Sequence, residues 1–455
     1  MESSQIQTVP KLELFSVTGG VDDSFVGIKF DGNTIKIFHP ECYPIKKEPS
    51  SISDKKDQKS DILALLRTIS IAKSSSLEHS KAYNTQNDGG DFALHSYLWV
   101  INDYLANGLY VNREKTYRIN QNGKINWKRT MQSDPIVSDK SIVFPTITVE
   151  KKSVIDNILV DVHKLCVKKS IDYIGWLFNL SSDFLIVPKL TENLKSVYVN
   201  AVQQELDHTF LDNKRILLHH MKNILNGLDE RSNNKEFVYG VDSYYYVFER
   251  MIDSIFSNVN HMSDFYPSAS WHLVRNDYER VPSSKLRPDT IVFEPNSRSG
   301  KLKGTAFILD SKFYRFGYTG NEADLPETTS IQKQITYGEF LKSNAFADRR
   351  KDINIENVYN AFIIPFDKKR GLPNQTTDQI EEISDDLYYI GFAKSNWKDT
   401  QSENGENRRA KEHEIIHAFL IDLKHVIHTW NSYDHEKDVA DLVDLIVEKQ
   451  ELMNQ

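Results

Sequence analysis

The stretch from Leu286 to Tyr314 reads LRPDTIVFEPNSRSGKLKGTAFILDSKFY. Two short apolar runs, Thr290 to Phe293 and Ala306 to Leu309, are rich in β-branched and aromatic residues and flank a cluster of Pro, Asn, Ser and Gly. This pattern predicts a β-hairpin. Asp289 precedes the first run and Asp310 follows the second, so each predicted strand carries a carboxylate at one end.

The second predicted strand also brings an ammonium group to its carboxylate. Side chains alternate between the two faces of a strand, so Asp310 and Lys312 point the same way. Two carboxylates can hold a hard divalent cation, and a lysine beside them can orient or deprotonate water and offset charge in the transition state. The sequence therefore predicts a site for metal-assisted phosphodiester hydrolysis.

The order of these residues resembles the PD-(D/E)XK nuclease superfamily. The pair Pro288-Asp289 is followed by the hairpin and then by the triplet Asp310-Ser311-Lys312. The resemblance implies an α/β (α+β) fold with a restriction-endonuclease-like core, a mixed sheet flanked by helices, and an N-terminal mixed α+β region. It also implies that Asp289 and Asp310 ligate Mg²⁺ and that Lys312 assists the attacking water.

Two further residues enter through the same resemblance. Glu249, in the helical segment YYYVFERMIDSIF, resembles the acidic residue that completes or supports the metal site. Gln334, in SIQKQITYGEFL, resembles a residue of the helix after the core strands, and would position that helix or touch the same water or phosphate. Glu249 lies at the edge of an apolar stripe, where a carboxylate is costly to bury unless it meets a cation. That stripe is predicted to consist of Tyr245, Phe248, Ile252 and Ile255. The alternative is a structural ion pair with Arg250, Lys312 or another basic residue.

Several sequence blocks are similar to those of LlaJI-type restriction endonucleases, including the nuclease component of the BsuMI restriction system. They are GKINWKRT at 123 to 130, YGVDSYYYVFERM at 239 to 251, FYPSASW at 265 to 271, and the LRPD, LDSK and KQITY blocks. The likeness implies a Mg²⁺-dependent type II endonuclease that cuts unmodified double-stranded DNA at a specific site, with a cognate DNA methyltransferase in the same system.

Other functions stay open on the sequence. McrC-like subunits share a similar order of blocks, which would make the chain a nuclease active only with an AAA-type NTPase partner. The chain itself has no G-x-x-x-x-G-K-[ST] loop. An RNA or repair nuclease would share the metal site, and an inactive fold or a chance D-x-K would have no activity.

A basic segment from Val111 to Gln132 is predicted as a hairpin with its turn at residues 120–123. Six basic residues stand there against Glu114, and aromatic residues are interleaved with them. Cationic groups hold phosphates and aromatic rings pack on sugars or bases, so this segment predicts DNA binding. The residues expected to carry it are Lys124, Trp127, Lys128 and Arg129. The alternative is a solvated hairpin with its tryptophan in a core.

The sequence suggests three regions. Residues 1–148 form an N-terminal α+β region with the basic hairpin, for DNA or partner binding; residues 149–235 form a helical connection; residues 236–455 form the nuclease domain. Within them, residues 11–45 read as β-rich, residues 46–60 as a solvated linker, and residues 412–430 as a helix.

Composition sets the class of protein. The 455 residues are 39% hydrophobic and 26% charged, as in ordinary globular proteins, and there is neither a run long enough for a membrane span nor a signal peptide. We therefore expect a cytoplasmic protein without a membrane partner. The net charge of −8 gives no overall attraction to nucleic acid, so DNA contacts must depend on local basic surfaces. Cys42 and Cys166 are expected to be buried or incidental thiols.

Overall fold

The computed structural model describes residues 11–18, 25–31, 33–74, 94–110, 112–138, 141–155, 158–228, 237–296, 302–372, 381–384, 386–396, 402–403, 406–407, 411–432 and 434–454. Over these residues the fold is mixed α/β, with twelve α-helices and several sheets, which confirms the predicted fold class. None of the described helices is both long and apolar enough to cross a membrane.

The helices are α1 (Ile52–Ser74), α2 (Leu94–Asn107), α3 (Trp127–Thr130), α4 (Ile158–Phe178), α5 (Glu192–His208), α6 (Asp212–Gly227), α7 (Tyr244–Phe256), α8 (Phe316–Thr319), α9 (Thr328–Leu341), α10 (Asn344–Arg349), α11 (Leu423–Thr429) and α12 (Glu436–Asn454).

The strands are β1 (Lys11–Val17), β2 (Val26–Phe30), β3 (Thr34–Pro40), β4 (Asn112–Ile119), β5 (Lys124–Ile125), β6 (Ile136–Ser138), β7 (Ser141–Val143), β8 (Thr148–Ile155), β9 (Phe237–Val241), β10 (Ser268–His272), β11 (Arg280–Lys285), β12 (Thr290–Pro295), β13 (Leu302–Ser311), β14 (Ile353–Phe366), β15 (Glu381–Ser384), β16 (Leu387–Lys394), β17 (Ser402–Glu403), β18 (Glu406–Asn407) and β19 (Ile415–Asp422).

The chain divides into two compact units. The first unit contains residues 88–237, and the second contains residues 10–87 together with residues 238–455. These boundaries differ from the three predicted regions because the N-terminal strands pair far along the chain: the sheet order β1-β3-β2-β9 joins them to the strand before α7. The pairing is close, since a Cβ added at Gly27 would lie 2.2 Å from the carbonyl oxygen of Tyr239.

The first unit combines packed helices with a small sheet. Helices α2, α4, α5 and α6 pack on one another, and β8 lies between β4 and β5. The basic segment is therefore not the simple hairpin that the sequence predicted, because its two strands both pair with β8. Residues 127–130 form a short helix rather than a strand: the Asn126 side chain accepts a hydrogen bond from the N–H of Arg129 and caps it.

The second unit is built on a six-stranded sheet in the order β12-β13-β14-β19-β16-β15. Strands β12 and β13 are antiparallel, with Thr290 opposite Leu309, so the predicted hairpin is confirmed. Strands β13, β14 and β19 run parallel, and β16 returns antiparallel to β19. Helix α9 packs on β13, β14 and β19 over a core that includes Ile308 and Tyr337, and α7 packs on β12 and β13.

Two predicted elements of the second unit were wrong. Residues 412–430 are not one helix, because Ile415–Asp422 is an inner strand and only Leu423–Thr429 is helical. All but the last residue of that strand are buried, and a strand buried on both faces reads as a continuous apolar run. Residues 46–60 are not a linker throughout, since α1 begins at Ile52 behind reciprocal hydrogen bonds between Ser51 and Asp54.

Candidate active site

The hairpin of β12 and β13 places two carboxylates side by side. Because Thr290 pairs with Leu309, the adjoining residues Asp289 and Asp310 lie across from each other at the end of the hairpin. The backbone N–H of Ser311 donates to Oδ2 of Asp289 at 2.9 Å. Asp310 is only 6% exposed. The register of the hairpin thus brings together the two residues that the sequence predicted as metal ligands.

Lys312 is held next to these carboxylates. Its Nζ lies 2.8 Å from Oδ2 of Asp310, so the two side chains point the same way, as the two-residue spacing predicted. Its backbone N–H donates to the carbonyl of Ile363 at 2.8 Å, which extends the pairing of β13 with β14 by one residue. The ammonium group is therefore placed by the sheet backbone as well as by its partner carboxylate.

Glu249 approaches the same cluster from α7. The buried stripe of that helix contains Phe248 and Ile252 but includes Tyr244 in place of the predicted Tyr245. Glu249 is half-buried at the edge of the stripe. Burial, together with the charge of Asp310, raises the pKa of Glu249 to about 7 against the opposing charges of Lys312 and Arg287. The charge of Glu249 therefore interacts with the charges of Asp310 and Lys312.

Burial and neighbouring negative charges disfavour the ionised forms of Asp289 and Glu249. Burial raises the pKa of Asp289 well above its usual value, and the charges of Asp310 and Glu249 raise it further. Burial lowers the pKa of Lys312, but its contacts with Asp310 and the charge of Asp289 raise it more. Clustered buried carboxylates of this kind are stabilised by a divalent cation that takes oxygen ligands. Asp289 and Asp310, which lie across from each other, therefore offer oxygen ligands of the kind that Mg²⁺ takes.

Tyr337 is a further residue of the site, and its sequence pattern indicated only that it belongs to the helical segment SIQKQITYGEFL. Its hydroxyl donates to the carbonyl of Arg287 at 3.1 Å, two residues before Asp289. Burial and the charges of Asp310 and Asp289 raise the pKa of Tyr337. The tyrosine thus fixes the segment that enters β12. Gln334 and Tyr337 are three residues apart and so lie on one face of a helix. This spacing was the sequence signal that could have placed Tyr337 near the site.

Gln334 lies one turn before Tyr337 on α9 and is fully buried. Its side-chain Nε2 and Oε1 have no hydrogen-bond partner among the described residues, and its backbone carbonyl accepts from Nδ2 of Asn360 at 3.1 Å. The predicted contact of Gln334 with a water or phosphate stays a prediction.

The basic segment of the first unit presents its side chains to the outside. Lys124, Lys128 and Arg129 are exposed, and Trp127 is 55% exposed, so the alternative with this tryptophan in a core is wrong. The guanidinium of Arg129 lies 3.6 Å from the centre of the Tyr117 ring, a cation–π contact that holds both groups on one surface.

A second set of possible metal ligands lies in the second unit and was missed at the sequence level. Glu339 on α9 and the neighbours His413 and Glu414 before β19 bring ligand atoms within 4.8 Å of one another. Gly338 permits this approach, since a Cβ added there would lie 2.5 Å from the Cβ of His413. Glu339 is distant in sequence from the adjacent pair His413 and Glu414, so no local spacing signals the group.

Comparisons with known proteins point to a restriction nuclease. The model of the LlaJI restriction endonuclease family matches residues 25–382, most of the chain. A comparison with curated proteins found no match. One similar solved structure is a half-complex from a tetradecameric assembly of Thermococcus gammatolerans McrB AAA+ hexamers with bound McrC. It is 14% identical, with 92% of this chain and 82% of that chain covered, at a TM-score of 0.35, which is too low to establish a common fold.

Proposed function

The chain belongs to the LlaJI restriction endonuclease family, and on this basis we propose that it is a Mg²⁺-dependent type II endonuclease with a PD-(D/E)XK core. Membership makes it a nuclease of a restriction system. The proposed reaction is hydrolysis of phosphodiester bonds in unmodified double-stranded DNA at a specific site. The observation that carries the proposal is the convergence of Glu249, Asp289, Asp310 and Lys312 from one hairpin and one helix.

Asp289 and Asp310 would hold the Mg²⁺ ion, with Glu249 completing or supporting the site. When bound, the ion would supply Lewis-acid chemistry to the scissile phosphate and to the attacking water. The residue types fit this role, because hard divalent cations take carboxylate oxygens, and burial disfavours the ionised forms of Asp289 and Glu249 without a cation.

The protein's own contribution is position and charge. Lys312, tied to Asp310 by its side chain and to Ile363 by its backbone, brings a positive charge to the site where the phosphate gains negative charge. The N–H of Ser311 orients the carboxylate of Asp289. Tyr337 holds the carbonyl of Arg287 and so limits motion of the segment that carries Asp289. These contacts preorganise the cluster before substrate arrives.

DNA contacts of the first unit would come from Lys124, Trp127, Lys128 and Arg129, whose exposed side chains suit phosphate and sugar contacts. The partners are double-stranded DNA and, in the same system, a DNA methyltransferase that protects cognate sites. We place the activity in the cytoplasm, where the DNA to be cut enters.

Digestion of methylated and unmethylated plasmid by the purified chain tests the proposal. We expect Mg²⁺-dependent cutting of the unmethylated plasmid into discrete fragments, and no cutting by Asp310→Asn, which keeps the shape of the side chain and loses the anionic ligand. Cutting only after addition of an AAA-type NTPase from the same system would instead favour the McrC-like alternative. Equal cutting by Asp310→Asn would refute the assigned site.

A further inference from the structure

A two-stranded ribbon leads directly into the catalytic hairpin. Strands β10 and β11 pair antiparallel, with Trp271 opposite Val281 and His272 opposite Arg280, and they form a sheet of their own. The ribbon closes at its base where the N–H of Leu286 donates to the carbonyl of Pro267 at 3.0 Å. The next residues are Arg287, Pro288 and Asp289, so its base lies at the entry to the cluster.

Large apolar side chains of this ribbon are exposed. Trp271 is 64% exposed, Val274 73% and Tyr278 63%. An isolated two-stranded ribbon has little core of its own, and exposed aromatic residues on such an element indicate a contact surface. Neither Trp271 nor Tyr278 is needed to fill the interior of the second unit.

The tip of the ribbon has a fixed but unusual backbone. Asp277 and Tyr278 have φ angles of 49° and 62°, in the left-handed region that residues other than glycine seldom adopt. Nδ1 of His272 donates to the carbonyl of Tyr278 at 2.9 Å and holds this conformation. A strained conformation that is held in place is common in binding elements, and here it presents Tyr278 to the outside.

The ribbon is basic although the whole chain is acidic. Residues 268–287 contain four basic residues and two acidic ones, against a net charge of −8 for the chain. The basic residues are Arg275, Arg280, Lys285 and Arg287, all of them exposed. Arg287 is close enough to the cluster for its charge to act on Glu249. The positive surface is thus continuous with the catalytic carboxylates, where a polyanion would otherwise be repelled.

We infer that this ribbon is the element by which the second unit holds duplex DNA at its catalytic cluster. Trp271 and Tyr278 pack on sugars and base edges, while Arg280 and Lys285 contact phosphates of the same duplex. The inference rests on the proposed function and goes beyond the basic surface of the first unit. A two-stranded ribbon has the width to enter a groove of B-form DNA.

Binding of an unmethylated plasmid fragment by full-length Asp310→Asn protein tests the inference, because this variant is expected to bind without cutting. In that background, Trp271→Ala should weaken binding about tenfold. Arg280→Ala should lower the slope of log affinity against log salt by about one. Phe210→Ala, which removes an aromatic side chain that is 89% exposed in the first unit, is the matched control and should bind as the parent does.

The possible outcomes are distinct. Parent-like affinity and salt slope for both ribbon variants, or no duplex binding by the parent at low salt, would overturn the inference. Weakened binding by Trp271→Ala with an unchanged melting temperature supports it. The proposed function is tested separately, by whether the wild-type chain cuts DNA with Mg²⁺, so a nuclease whose ribbon variants bind normally would refute the ribbon's role alone.

Discussion

The substitution Glu249→Gln distinguishes a role of Glu249 in the metal site from a role as a structural ion-pair partner. The carboxyl group of Glu249 is half-buried, and its pKa is raised from 4.5 to about 7, first by burial and then by Asp310. Its unfolded form therefore releases a proton at lower pH than its folded form. The stability that the protonated group provides is present below about pH 4.5 and is lost as the pH rises to about 7.

The expected magnitude follows from that difference in pKa. Above about pH 7 the ionised carboxylate costs up to about 3 kcal/mol of folding free energy without metal. Glutamine has a similar shape and no charge, so Glu249→Gln should be more stable than the parent by up to this amount in metal-free buffer at about pH 8. The melting temperature should rise on the order of 5 °C, and the difference should vanish near pH 4.5.

The assay is thermal unfolding in EDTA across this pH range, combined with a Mg²⁺ titration of cleavage. Glu249→Gln should need more Mg²⁺ for half-maximal cutting. Glu448→Gln, at a carboxylate whose side chain is 64% exposed on α12, is the control and should change neither property. A lower melting temperature of Glu249→Gln at pH 8 with an unchanged Mg²⁺ requirement would show that Glu249 is a structural ion-pair partner instead.

Three further results are expected. Asp310→Ala and Lys312→Ala should each abolish cleavage and leave DNA binding in a gel-shift assay largely intact, because they act on the transition state; parallel loss of binding would count against the assignment. Arg129→Ala should reduce the slope of log affinity for DNA against log salt by about one. An unchanged slope would mean that the basic segment is an ordinary solvated surface. Gly338→Ala should cost about 1–3 kcal/mol in urea unfolding, since its Cβ would lie 2.5 Å from the Cβ of His413, whereas parent-like stability would mean that the segment around His413 can move.

The parts of the site that the sequence predicted correctly depend on local patterns. Alternating apolar runs around a Pro, Asn, Ser and Gly cluster specify β12 and β13, and the two-residue spacing of Asp310 and Lys312 specifies a shared side. The spacing of apolar residues likewise identifies α7, although its buried stripe includes Tyr244 rather than Tyr245. Such patterns span only a few residues, so they can be recognised without knowledge of the elements that pack against them.

Other features were decided only by tertiary structure. Residues 415–421 were predicted as part of a helix, but their place between two strands of the sheet made them a strand. Strand β8 separates β4 from β5, and β9 pairs with β2 from over 200 positions away, although neither pairing leaves a trace in local spacing. The link from Tyr337 to Arg287 likewise joins residues that only the packing of α9 brings together. The sequence by itself thus determined the elements and the chemistry of the hairpin, whereas the tertiary structure decided which elements meet, because side-chain periodicity specifies a face to be buried and not the partner that buries it.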